Sequence, residues 1–175
     1  MDKTVEMYNG FIFEPITESD VTTLSQIMKK AFDDDVKRNL GQESGGPPGY
    51  DNGDFIRKWY FGANAKAYKI SKDNVVIGAI NVFVNKDGEN YLGNMFIDPN
   101  FGRQGAGRAA WQYVEQKFAD TKKWSTDTPG FSKSNHAFYV NKCGFAIVRI
   151  ENSGNEFGGD YIMEKIMEKP CSATS

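Results

Sequence analysis

A chain of 175 residues, 39% hydrophobic and 25% charged, has room for one well-packed core and not for two ordinary ones. Its net charge of −2 and isoelectric point near 5.5 speak against nucleic acid as the main partner, while leaving local basic patches open. One histidine and no CxxC spacing give no metal site to expect, and no run of about 18 apolar residues or apolar leader at Met1–Glu6 points to a membrane. The two cysteines, Cys143 and Cys171, show no structural pairing pattern, so a soluble protein of the reduced cytoplasm is expected.

Phe11–Pro15 reads as a short strand stopped by proline. Thr17 with Asp20 resembles a helix-capping pair. After it, Leu24, Ile27, Met28, Ala31 and Phe32 recur at helical spacing, which predicts an amphipathic helix over about 20–36 whose last turn runs into Asp33-Asp34-Asp35. Acid there opposes the helix dipole, so local stability does not account for it. Residues 41–53 are too rich in glycine and proline for either period and form a long loop, and loops of that length are often lids or binding loops. A short helix over about 54–61 follows, with Phe55, Trp59 and Tyr60.

Ala67–Ile70, Val75–Val84 and Tyr91–Ile97 are strand-like, and the turn-sized gaps between them argue for an antiparallel meander. Asp98-Pro99 then leads to a glycine turn and a helix over about 105–119. Trp124–Thr126 reads as a strand, Lys133–Cys143 as a helix capped by Gly144, and Phe145–Ile150 and Tyr161–Ile166 as closing strands. The expected fold is α+β: a mixed, mostly antiparallel central sheet flanked by about four helices. One domain is expected over 1–167, with a tail over 168–175.

The informative stretch is Phe101-Gly102-Arg103-Gln104-Gly105-Ala106-Gly107-Arg108. Lying between a strand and a helix start, it gathers backbone N–H groups that have no intrahelical partner. Glycine lets the chain approach closely, and two arginines add local positive charge, so the turn suits a pyrophosphate. A P-loop is excluded because GxxxxGK[ST] is absent. The dinucleotide fingerprint competes: Gly105-Ala106-Gly107-Arg108-Ala109-Ala110 matches GxGxx[GA], and Asp127 lies 20 residues after Gly107. An antiparallel meander ahead of the motif, where that fold needs a parallel βαβ unit, weighs against it.

The strand-Asp-Pro-turn segment resembles the cofactor motif, [QR]xxGx[GA], of the GCN5-related N-acetyltransferase (GNAT) superfamily. Met95-Phe96-Ile97-Asp98-Pro99 resembles the family's splayed fourth strand, and Phe138-Tyr139 through Gly144-Phe145 its late FYxxxGF element. The resemblance implies acetyl-CoA as co-substrate and direct attack by a primary amine on its thioester. It implies cofactor contacts at Met95, Phe96, Ile97, Arg103, Gln104, Gly105, Ala106, Gly107, Arg108 and Asn135, and a general acid at Tyr139. The family's acceptor region maps to Asp33, Asp34, Tyr50 and Trp59, whose acids and aromatics suit a small cationic amine. A homodimer is allowed by the resemblance but not demanded.

Three departures stand beside it. Gly102 occupies the motif's Gln/Arg position. Four residues, not three, separate Tyr139 from Gly144, which is about 100° of helix rotation. Gly93 and Asn94 stand where members carry a glutamate base, so the base is unassigned. A non-catalytic acyl-CoA-binding or sensor domain is the alternative reading.

Overall fold

The computed structural model describes residues 4–168, so Cys171 and all of the expected tail except Glu168 lie outside the described residues. Eight strands form one sheet in the order β1-β2-β3-β4-β5-β6-β8-β7. They are β1 (Glu6–Tyr8), β2 (Phe11–Pro15), β3 (Ala65–Lys72), β4 (Val75–Phe83), β5 (Glu89–Ile97), β6 (Lys123–Pro129), β7 (Ala146–Glu151) and β8 (Asp160–Ile166). Every neighbouring pair is antiparallel except β5 and β6. Those two are joined by a crossover helix, as a parallel pair requires.

β1 lies outside the predicted elements. It forms a hairpin with β2 in which Tyr8 opposes Phe11, leaving Asn9 (φ 48°) and Gly10 (φ 82°) as the turn. Positive φ at both turn positions matches the twist of the strands, and Asn-Gly was the available signal.

The helices are α1 (Val21–Leu40), α2 (Asp54–Trp59), α3 (Ala106–Lys117) and α4 (Lys133–Cys143). α1 corrects the sequence reading, because Asp33–Asp35 do not end it. It runs four residues past 36 to Leu40, with Lys37 and Arg38 in the last turn and Gly41 (φ 68°) as its left-handed cap. That last turn complements the dipole, and Asp33 and Asp34 lie a turn earlier in i,i+4 ion pairs with Lys29 and Arg38. Thr17 and Asp20 do pair: the Thr17 amide donates to Asp20 Oδ2 at 2.8 Å, closing a 3-10 turn ahead of α1.

The sheet has a core on each face. One is built on α3 and α4, with Trp111, Val114 and Tyr139 against Phe13, Ile80, Leu92, Trp124 and Met163. The other sets Leu24 and Met28 of α1 and Ile56 of α2 against Ala67, Ala79 and Phe96. Alternation along each strand assigns side chains to one face or the other.

Candidate active site

β5 and β6 pair only over Glu89–Tyr91 and Lys123–Ser125. One residue on, Thr126 Oγ1 donates to Leu92 O at 2.9 Å, and beyond that the strands part. The cause lies on the other edge of β5. Its register with β4 shifts between Asn81 and Val82, so that Gly93 is an extra residue, and a bulge of this kind bends its strand. The result is a fork opening toward the C-terminal end of β5. The Asp98 amide donates to Ile77 O on β4 at 2.7 Å, so alternation turns the amides of Met95 and Ile97 into the fork. Phe96 is different: its amide faces β4 and its side chain is buried beneath α1 and α2.

The glycine turn lies at the open end of the fork. Asp98 accepts from the Asn100 amide at 2.9 Å and, with Pro99, forms a short 3-10 turn. Gly105 is the N-cap of α3 at φ 82°, and the first α-helical bond runs from the Ala109 amide to Gly105 O at 2.9 Å. The amides of Ala106, Gly107 and Arg108 are therefore the orphan donors of a helix start. Gly107 packs closely on α4: a Cβ there would stand 3.1 Å from Phe138 Cζ, so that ring would have to give by a few tenths of an ångström. Arg103 holds the left-handed conformation at φ 61°, which costs a non-glycine residue about 1–2 kcal/mol. Arg103, Gln104 and Arg108 are all exposed, and Gln104 accepts from Lys72 Nζ at 3.0 Å. Beside the turn is a groove of about 400 Å³ lined by Asn9, Phe11, Gln104, Gly105, Arg108 and Gln112.

Tyr139 comes from the α3/α4 side, with its ring against Phe138 and Phe145. Burial, and then the negative charge available at Cys143, Asp127 and Asp35, pushes its phenol above the ordinary tyrosine range. Tyr60 is raised by burial and by Tyr139 in turn, and its hydroxyl donates to Asn94 Oδ1 at 2.6 Å. Tyr139 is thus in electrostatic reach of groups carried by the opposite face. Across the fork, Ser132 Oγ donates to Asp35 at 2.9 Å, tying α1 to the start of α4.

The predicted acceptor residues divide. Asp33 ties the 41–53 loop to α1, accepting from Tyr50 Oη at 2.8 Å and from the Gly45 amide at 3.1 Å beside its pair with Lys29. Asp34 is engaged by Arg38, and Trp59 is exposed beneath Lys58 Nζ, 4.7 Å from its ring centre. An Asp33→Ala variant should therefore be cut within 41–53 several-fold faster in limited proteolysis, and an unchanged rate would refute the anchor. Asn135 is exposed on the first turn of α4. His136, the single histidine, is buried, its Nε2 3.0 Å from Pro129 O and its ring stacked on Tyr161. Burial raises the Cys143 thiol to about 12, consistent with an inert core residue. Among the described residues no three His, Cys, Asp or Glu side chains cluster to hold a metal, and no helix is long and apolar enough to cross a membrane.

Residues 26–145, spanning the bulged strand, the turn and the α4 cap, match the family model "Acetyltransferase (GNAT) family". The chain belongs to the GNAT family. It is 34% identical over 142 residues to the uncharacterized protein YrkN of Bacillus subtilis (strain 168), covering 81% of this chain and 76% of the relative. Its fold is similar to that of the PaiA N-acetyltransferase of Thermoplasma acidophilum, solved with coenzyme A. The TM-score is 0.70 at 14% identity, over 90% of this chain and 99% of that one. The ribosomal-protein-S18-alanine N-acetyltransferase of Escherichia coli gives a TM-score of 0.68 at 14% identity, over 94% and 99%.

Two departures from the GNAT pattern now have physical accounts. The extra residue before Gly144 is absorbed at the end of α4, where the Gly144 amide donates to Tyr139 O, five residues back, and Phe145 donates to the same oxygen at 3.0 Å. This widened closure takes up the added rotation as a π-type turn, leaving Tyr139 buried and Val140 outside. At Gly93, a Cβ would strike the Phe83 ring at 2.6 Å, so the bulge has no room for a glutamate unless that ring moves. Tyr91 and Asn81, to which the sequence reading gave no role, and Asp127, which it weighed only at dinucleotide spacing, flank this bulge and the fork.

Proposed function

We propose that this protein transfers an acetyl group from acetyl-CoA to a primary amine by direct attack, the acceptor being a small cationic molecule. The observation that carries the reading is the fork between β5 and β6 with orphan amides along one side and an arginine-flanked helix start at its mouth. These features fit the donor: a pyrophosphate suits the amides of Ala106, Gly107 and Arg108, and Arg103 and Arg108 supply the opposing charge. The exposed Asn135 is a further contact on α4, and the groove beside Arg108 has the size for a nucleotide end. Bound acetyl-CoA would supply an activated thioester carbonyl. The Met95 amide, turned into the fork, would donate to that carbonyl as it gains negative charge. Tyr139, protonated at physiological pH, would hand its proton to the departing sulfur. Asp34, Trp59 and the Asp33–Tyr50 pair border the acceptor side, where acid and aromatic groups favour a cation.

A thiol-release assay with acetyl-CoA and a panel of amines tests this reading. Binding of acetyl-CoA without acceptor-dependent thiol would favour the non-catalytic sensor instead, a reading that the closed Gly93 position supports. Arg103→Gly should weaken acetyl-CoA binding about tenfold or more in calorimetry without lowering thermal stability. Glycine takes φ 61° at no steric cost, so only the charge is lost. Unchanged affinity would remove Arg103 from the binding surface.

A further inference from the structure

We propose that Asp127 takes the proton from the acceptor ammonium, serving as the general base that Gly93 cannot supply. This rests on the transferase reading. Three geometric observations lead to it. Asp127 follows Thr126 on β6, two residues past the final pair Tyr91–Ser125, so it stands where the fork has just opened. Thr126 is buried and bonded to the β5 backbone, and alternation puts Asp127 on the opposite face, that of α1 and α2. Its carboxylate accepts a hydrogen bond from the phenol of Tyr91, whose ring packs near Phe83, the same ring that closes the Gly93 position.

The acceptor thus meets a carboxylate on the β6 side of the fork instead of a glutamate on β5. Asp127 is open to solvent along its outer edge, while its carboxyl is hemmed in by the strands around it. The charged and titratable groups beside it are Asp160 on β8, Glu151 on β7 and Tyr91 on β5, and Tyr139 of α4 lies within electrostatic reach from the other face. Burial, then repulsion from Asp160 and Glu151, holds its pKa above the ordinary aspartate value, which makes its anion a stronger base. The same three carboxylates favour a positively charged acceptor over a neutral one.

The protons balance as follows. Asp127 carboxylate accepts one proton from the ammonium, freeing the nitrogen lone pair to form the new C–N bond. The C–S bond breaks with its electron pair on sulfur, which takes the Tyr139 proton. The second proton shed by the nitrogen restores Tyr139, and Asp127 releases its proton to water. The products are the N-acetyl amine, free thiol and one proton.

The test is Asp127→Asn, assayed by acetyl-CoA thiol release against an aliphatic amine and against an arylamine that is unprotonated at neutral pH. The aliphatic rate, as kcat/KM, should fall about 100-fold or more at neutral pH and recover as pH rises toward the amine's own pKa. The arylamine rate should change only a few-fold, and calorimetric affinity for acetyl-CoA should be unchanged. Tyr91→Phe removes a hydrogen bond that favours the carboxylate, so the acid limb of the wild-type pH profile should move to higher pH. Equal losses for both amines with an unmoved pH profile, or an unimpaired Asp127→Asn enzyme, would overturn the assignment of Asp127 alone. Should Asp127→Asn fail to fold, the Tyr91→Phe limb decides, and an unmoved limb refutes it. A wild-type protein that releases no acceptor-dependent thiol would remove the transferase reading and this base together.

Discussion

Replacing Tyr139 with phenylalanine should slow acceptor-dependent thiol release about 10²–10³-fold while leaving acetyl-CoA affinity within a few-fold. The ring's packing is kept, because Phe retains the edge contacts with Phe138 and Phe145 that hold Tyr139 in the α3/α4 core. Only the hydroxyl is lost. That group is held protonated by burial and by the acids around the fork, so it can give a proton at any physiological pH. Its raised pKa keeps that proton in place until negative charge has developed on the departing sulfur. The expected signature is a fall in kcat with an unchanged melting temperature. Full activity in the variant would assign Tyr139 to packing and require another donor for the thiolate.

Trp124→Ala should carry the largest stability cost, about 3–5 kcal/mol in denaturant unfolding, and should abolish acetyl-CoA binding with it. Trp124 is fully buried and opposes Asn90 in the short paired segment from which β5 and β6 diverge. Its indole meets Trp111 of α3 edge-on, with centroids 5.2 Å apart at 75°, and Trp111 in turn lies 5.1 Å from Phe145, just past α4. One side chain therefore joins the base of the fork to the helix that begins at the glycine turn. Truncation leaves a cavity at that junction, and the turn loses its fixed position relative to the fork. A loss of less than about 1 kcal/mol would show that the aromatic cluster is not the support of the site.

The amino-acid sequence determined much of this protein through local rules. Among the described residues, period and punctuation located the four α-helices and seven of the eight strands, and the glycine-arginine turn marked a strand-to-helix junction, because such signals act over a few neighbouring residues. Where local rules misled, a neighbouring charge decided the matter: Asp33 and Asp34 looked like a poor helix end until Lys37 and Arg38 proved to belong to the same helix. The tertiary structure alone decided what crosses the fork. No spacing tells that β5 and β6 separate after three pairs, that a π-type closure keeps Tyr139 in the core, or that Phe83 closes the place of a base. Asp127 carried a misleading sequence meaning, as a ribose ligand at dinucleotide spacing, and acquires another beside Tyr91, 36 residues away in the chain. The reason is physical. Helix and turn propensities are settled within a few residues, whereas a site's proton chemistry depends on burial and charge brought together by sheet pairing between distant segments.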